Sequence, residues 1–191
     1  MTGELYVVRH AESSGEEGAN PGLSEFGRTQ ARALGARLSQ RPIAGVLHGP
    51  RRRAAETAAV LSEALPGVPL AASPLLEDRT PTPSPDRRGE YPEKFQDWFA
   101  AVPPEEQDRD GELLTAAFQQ LCRQARTLAG DGALVAVTHA FVVGWFVCEV
   151  LGGPTAQWLR LVPANAGLTV VRWRADSAAV LHSFNDTGHL P

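Results

Sequence analysis

Two cysteines, Cys122 and Cys148, are all that the 191 residues contain. Both fall in helix-like stretches without metal or redox spacing, which excludes a disulfide framework and leaves two buried free thiols. No excess of positive charge exists either: the net charge is -4. That excludes the electrostatic footprint of a nucleic-acid partner or an anionic membrane surface. No long apolar run is present. The longest, Ala133–Val137 followed by Ala140–Cys148, is broken by Thr138-His139 and falls short of the ~20 residues that span a bilayer. The N-terminus shows no charged-then-apolar signal segment and reads directly into a strand. A soluble cytoplasmic protein without membrane association is expected. Repeats and linkers are absent as well, so residues 1–191 are expected to form one domain. No cluster of carboxylates has ligand spacing, and neither metal nor cofactor is expected.

What is present alternates between strand and helix signals. Leu5–Val8 is a β-prone run that ends abruptly at Arg9-His10-Ala11-Glu12. Ser24 can cap a helix reaching about Gln40, with Ala31, Leu34 and Leu38 on one face. Ile43–Leu47 predicts a second strand. A helix carrying Arg53, Thr57, Leu61 and Ala64 then stops before Pro66-Gly67. Val68–Ala72 is a weak third strand. Thr80–Pro92, with four prolines and no periodicity, reads as a long irregular loop. A short helix over Glu93–Ala101 and a charged turn over Pro103–Gly111 follow. Glu112–Ala129 is amphipathic through Leu114, Phe118, Leu121, Ala125 and Leu128. Ala133–Val137 suits the middle of a parallel sheet, and Ala140–Leu151 a buried helix. Strands are expected at Trp158–Leu161, Gly167–Trp173 and Ala179–Phe184, the last two as a hairpin over Ala175-Asp176-Ser177. The pattern predicts an α/β fold: a three-layer α/β/α sandwich with a mostly parallel central sheet.

Open α/β sheets bind ligands at the carboxyl ends of their strands. Arg9-His10, Arg53 and His139 stand at three such ends or just after them. Converging, they would form a cationic pocket for a tetrahedral dianion, which phosphoryl transfer requires because its transition state spreads negative charge over three oxygens. Neighbouring guanidinium groups disfavour a second positive charge on His10, so its ring stays neutral and free to attack. An acid must then protonate the leaving oxygen. Glu77 and Asp78 are the candidates. His48, His182 and His189 read as structural or exposed.

At these residues the chain resembles the histidine phosphatase superfamily, which also contains the cofactor-dependent phosphoglycerate mutases. Arg9-His10-Ala11-Glu12 is similar to its Arg-His-Gly-Glu, with Ala11 in place of glycine. Leu23 to Ala31 is similar to its Leu-Ser/Thr-x-x-Gly-x-x-Gln-Ala, Arg53 to Ala58 to its Arg-Ala-x-x-Thr-Ala, and Val137-Thr138-His139 to its second-histidine strand end. Leu75–Pro85, Trp158 to Leu161, Asn165-Ala166-Gly167 and the ending Asp186 to Pro191 resemble the branch of the mitochondrial mutase-like Ser/Thr protein phosphatase. That branch carries a membrane-anchoring, self-associating N-terminal extension, which is not expected here. The resemblance implies His10 as phosphorylated nucleophile, Arg9, Arg53 and His139 as phosphate holders, and Asp78 or Glu77 as proton donor. Both fit the family's Leu-x-acid, and Pro81 aligns better with Asp78.

The expectation is therefore a metal-independent phosphomonoester hydrolase of the histidine acid phosphatase type, without a cofactor. It would act on a small phosphomonoester or a phosphoprotein, as a monomer or homodimer. One rival is a phosphoglycerate mutase, although mutases of this family are longer. The other is a catalytically silent phospho-ligand binding module.

Overall fold

The computed structural model describes residues 2–15, 20–128, 130, 132–153, 155–174 and 177–191. Its centre is a six-stranded sheet in the order β3-β2-β6-β1-β7-β8. The strands are β1 (Thr2–Arg9), β2 (Ile43–His48), β3 (Leu70–Ala72), β6 (Ala133–Thr138), β7 (Leu168–Arg174) and β8 (Val180–Asp186). The pairs β1–β6, β6–β2 and β2–β3 are parallel, and β7 is antiparallel to both β1 and β8. Side chains alternate across β1, as the period of two requires. Leu5 and Val7 enter a core with α4 (Glu112–Thr127) and α5 (Ala140–Leu151). Tyr6 and Val8 enter the opposite core with α1 (Glu25–Leu38) and α2 (Arg52–Ser62). This is the expected three-layer sandwich. Every residue of β6 is buried, in keeping with its unbroken apolar run. Both cysteines are free thiols, Cys148 buried and Cys122 partly so.

Helix boundaries follow local chemistry. The Ser24 side chain accepts from Gly27 N–H and caps α1. Gly152, at φ 60°, ends α5 in the left-handed conformation. Gly111, at φ 69°, starts α4. An added Cβ there would lie 2.0 Å from the Trp145 ring, so the turn needs glycine twice over.

Three expectations are corrected. The stretch Thr80–Pro92 is not irregular: β4 (Thr80–Thr82) pairs in parallel with β5 (Gln107–Arg109), and 85–90 forms a 3-10 turn. Proline belongs on such short, marginal strands, and a partner 27 residues downstream leaves no local trace. The same pairing converts part of the Pro103–Gly111 turn into strand. Trp158–Leu161 is not a strand but part of a 3-10 turn over 155–160. Trp158 is buried, and its carbonyl oxygen stands 3.2 Å from where Gly144 of α5 would carry a Cβ. A helix face, not a sheet edge, receives this apolar run. The β7–β8 hairpin is present, while Ala175 and Asp176 of its turn lie outside the described residues.

Candidate active site

The parallel register of β1 and β6 pairs Arg9 with Thr138. His10 and His139 are the next residues on two adjacent strands, and their rings come to 5.2 Å between centroids. His10 N–H donates to the Thr138 carbonyl at 2.8 Å, which closes the two strand ends together. Arg53 lies in the first turn of α2, just beyond the end of β2. Its Nε–H donates to His10 Nε2 at 3.2 Å, and a terminal guanidinium nitrogen donates to Asp78 at 2.5 Å. The same Asp78 oxygen is 3.3 Å from His139 Nδ1. Arg9, His10, Arg53, Asp78 and His139 are thus brought together, as the sequence suggested. Glu77 is turned aside: its carboxylate meets Arg51, which also binds Glu106 at 3.0 Å. The three consecutive arginines take three directions, with Arg52 on Glu56 and only Arg53 in the site.

His10 is oriented by its own backbone. Nδ1 lies 2.7 Å from the Ala11 carbonyl oxygen, which can only accept, so Nδ1 carries the proton and Nε2 the lone pair. Burial, reinforced by Arg53 and Arg9, pushes the pKa of His10 down to about 4. Burial, then the cationic surroundings, pushes His139 down to about 2. Both rings are neutral near pH 7. Asp78 is held above the ordinary carboxylate range: burial outweighs the opposing pull of Arg53. Burial also lowers Arg9 below its usual range, and Arg53 adds to this.

The glycine-to-alanine change at position 11 is accommodated because φ there is not positive. Ala11 is fully buried, and its N–H donates to Thr57 Oγ1 at 3.0 Å. Glu12 N–H donates to Gln30 Oε1 at 2.9 Å. An added Cβ on Gly27 would sit 2.0 Å from the Glu12 carbonyl oxygen. Gly27, Gln30 and Thr57, matched above only as motif letters, therefore all hold the loop that follows His10.

Sequence reasoning assigned no role to three further supports. Arg9 donates to the Pro163 carbonyl at 2.7 Å. Asn165 donates to the His10 carbonyl at 2.9 Å. Ala166, buried with φ 54°, adds an N–H to Arg9 O at 3.1 Å. The positive φ at a non-glycine residue leaves no sequence signal. Thr138 Oγ1 donates to the Leu76 carbonyl at 3.1 Å, tying β6 to the segment that carries Asp78. His48, His182 and His189 lie outside the cluster, on Gly49 O, Arg172 and Ala166 O. Among the described residues no three His, Cys, Asp or Glu side chains gather so as to hold a metal ion.

The family model for the histidine phosphatase superfamily (branch 1) matches residues 5–187. The chain is 28% identical over 196 residues to the mitochondrial serine/threonine-protein phosphatase PGAM5 of Rattus norvegicus, covering 100% of this chain and 65% of that protein. It is 29% identical over 191 residues to the Caenorhabditis briggsae Pgam5, covering 97% and 64%. The chain spans just under two thirds of the length of these relatives. A mycobacterial glucosyl-3-phosphoglycerate phosphatase with inorganic phosphate superimposes with a TM-score of 0.74 at 21% identity, covering 99% of this chain and 100% of that one. A Bacillus anthracis phosphoglycerate mutase gives 0.73 at 19%, covering 99% and 95%. At those identities the likeness establishes the fold.

Proposed function

Because the chain belongs to branch 1 of the histidine phosphatase superfamily, we propose that it hydrolyses phosphomonoesters through a phosphohistidine on His10. The observation that carries this reading is the His10 ring. It is neutral, its Nδ1 proton is committed to Ala11 O, and its Nε2 lone pair faces Arg53. Nε2 attacks phosphorus, the bond from phosphorus to the leaving oxygen breaks, and Asp78 supplies that oxygen with a proton. Water then gives a proton to the Asp78 carboxylate and attacks phosphorus. The bond to Nε2 breaks and inorganic phosphate leaves.

Arg9, Arg53 and His139 hold the phosphoryl oxygens in this scheme, without metal or cofactor. Arginine matches phosphate geometry with paired donors, and the first turns of α2 and α5 begin at the site, where helix dipoles favour an anion. Asp78 rests on Arg53 and His139, the same groups a phosphate would take. Phosphate binding therefore competes the carboxylate away from Arg53 and frees it for the leaving oxygen. The whole chain acts as one domain. The substrates are phosphorylated molecules, and the names of the mitochondrial relatives favour phosphoproteins among them. The cytoplasmic location expected above stands beside those names, and no helix among the described residues is long and apolar enough to cross a membrane.

The test is covalent labelling. Wild-type protein in EDTA should turn over p-nitrophenyl phosphate and retain an acid-labile, base-stable phosphate label. His10→Ala should lose both while remaining folded, as its circular dichroism reports. Near-normal turnover in His10→Ala would refute the mechanism. Wild-type protein that binds phosphate esters without turning over any of them would be a silent binding module.

A further inference from the structure

Beside the cationic cluster lies an apolar groove of about 440 Å3, within the size range of small-molecule sites. Its walls include Phe95, Trp98, Phe141, Trp158 and Val162. Two wall residues are chain neighbours of site residues. Ala140 follows His139 directly, and Val162 precedes Pro163, whose carbonyl accepts from Arg9. Consecutive Cα atoms are about 3.8 Å apart, so the groove begins one residue from the second histidine and one residue from the Arg9 anchor. The rings form an edge-to-face array: Trp98 to Phe141 at 5.6 Å and 73°, Phe141 to Trp158 at 5.2 Å and 71°. Such arrays accept a further aromatic ring in the same geometry. Phe141 and Val162 remain 36% and 74% exposed, Val162 the most exposed of the large apolar side chains among the described residues. Among the described wall residues Lys94 alone is charged, and its Nζ sits over the Phe95 ring.

We propose that this groove seats the leaving group, and that the preferred substrates are phosphomonoesters of bulky aromatic alcohols. The inference rests on the phosphatase reading above. Whatever is bonded directly to the phosphoryl oxygen must leave the cationic cluster, and the nearest groove walls stand one step along the chain from His139 and from the Arg9 anchor. Its described lining suits a ring system, with Lys94 at its charged margin. In the transfer step the bond from phosphorus to the aryl oxygen breaks as His10 Nε2 attacks. The aryl oxygen keeps the electron pair and takes the Asp78 proton.

The test compares 1-naphthyl phosphate with phenyl phosphate, esters of two phenols of similar acidity, in the wild type, Val162→Asp and Phe141→Ser. The wild type should favour the naphthyl ester by about tenfold or more in kcat/KM, the discrimination available to a modest apolar contact. Both variants should lose most of that preference through KM, the naphthyl ester losing far more than the phenyl ester. Equal kcat/KM for the two esters in the wild type, or a preference untouched by Val162→Asp, would overturn the proposal. So would strong discrimination of a phosphoserine peptide flanked by phenylalanine over one flanked by glycine, without naphthyl preference; the groove would then serve peptides. If no ester were hydrolysed, the phosphatase reading would fail by itself. Saturable quenching of tryptophan fluorescence by 1-naphthyl phosphate, lost in Val162→Asp, would still support the seat, and its absence would remove it.

Discussion

Asp78 touches a guanidinium and a neutral imidazole, yet its carboxyl lies above the usual range because burial outweighs Arg53. A proton donor needs that direction of shift. With His10 lowered to about 4, kcat/KM should rise as pH climbs through about 4 and His10 becomes neutral. It should fall again at higher pH as Asp78 ionises. Asp78→Asn should remove the falling limb. It should cut turnover of phosphoserine by about 100-fold or more, the scale of a lost general acid, and that of p-nitrophenyl phosphate far less, because that leaving group hardly needs a proton. Glu77→Gln, which loses the Arg51 ion pair but keeps an amide oxygen to accept from Asp78 N–H, should do little to either. Equal losses on both substrates, or a larger loss from Glu77→Gln, would move the acid to the other carboxylate.

The ends of β2 and β6 are clamped to the segment carrying Asp78. Gly49 N–H donates to Val137 O, and an added Cβ at Gly49 would lie 2.2 Å from the Leu76 carbonyl oxygen. Thr138 donates to that same oxygen from a fully buried position. Thr138→Val keeps shape and strand propensity but leaves the Leu76 carbonyl without this donor. It should cost about 1–3 kcal/mol in urea unfolding. It should also slow phosphoserine turnover more than p-nitrophenyl phosphate turnover, because what slackens is the placement of Asp78. A stability loss without that substrate dependence would make Thr138 a purely structural anchor.

For the folded molecule as a whole, the buried cluster couples stability to pH. His10 and His139 take up protons far less readily folded than unfolded. Their contribution is complete above an unfolded pKa of about 6.5. As pH falls below that value the unfolded chain binds protons that the fold refuses, so stability is lost, by up to about 1.4 kcal/mol per pH unit for each histidine. Asp78, shifted upward, works in the opposite direction over the ordinary carboxylate range. The urea midpoint should therefore fall between pH 7 and pH 5. His139→Asn, which cannot titrate, should reduce that slope, with His10 and the partly buried His189 supplying the remainder. A slope equal in wild type and variant would mean that His139 is not buried neutral.

Strand–helix alternation, the apolar run of β6 and the four motifs make the sandwich and the residues Arg9, His10, Arg53 and His139 legible from the chain alone. Their signals are local: a period of two or 3.6, a cap, a few letters at fixed spacing. The choice of Asp78 over Glu77 rests on the place of Pro81 alone, because adjacent residues share the other local signals. In the fold Arg51 draws Glu77 away while Arg53 and His139 meet Asp78. The pairing of β4 with β5, the turn over Trp158 and the supports from Pro163, Asn165 and Ala166 were hidden. Each depends on a partner far along the chain, and such a contact exists only once the sheet has brought both segments together.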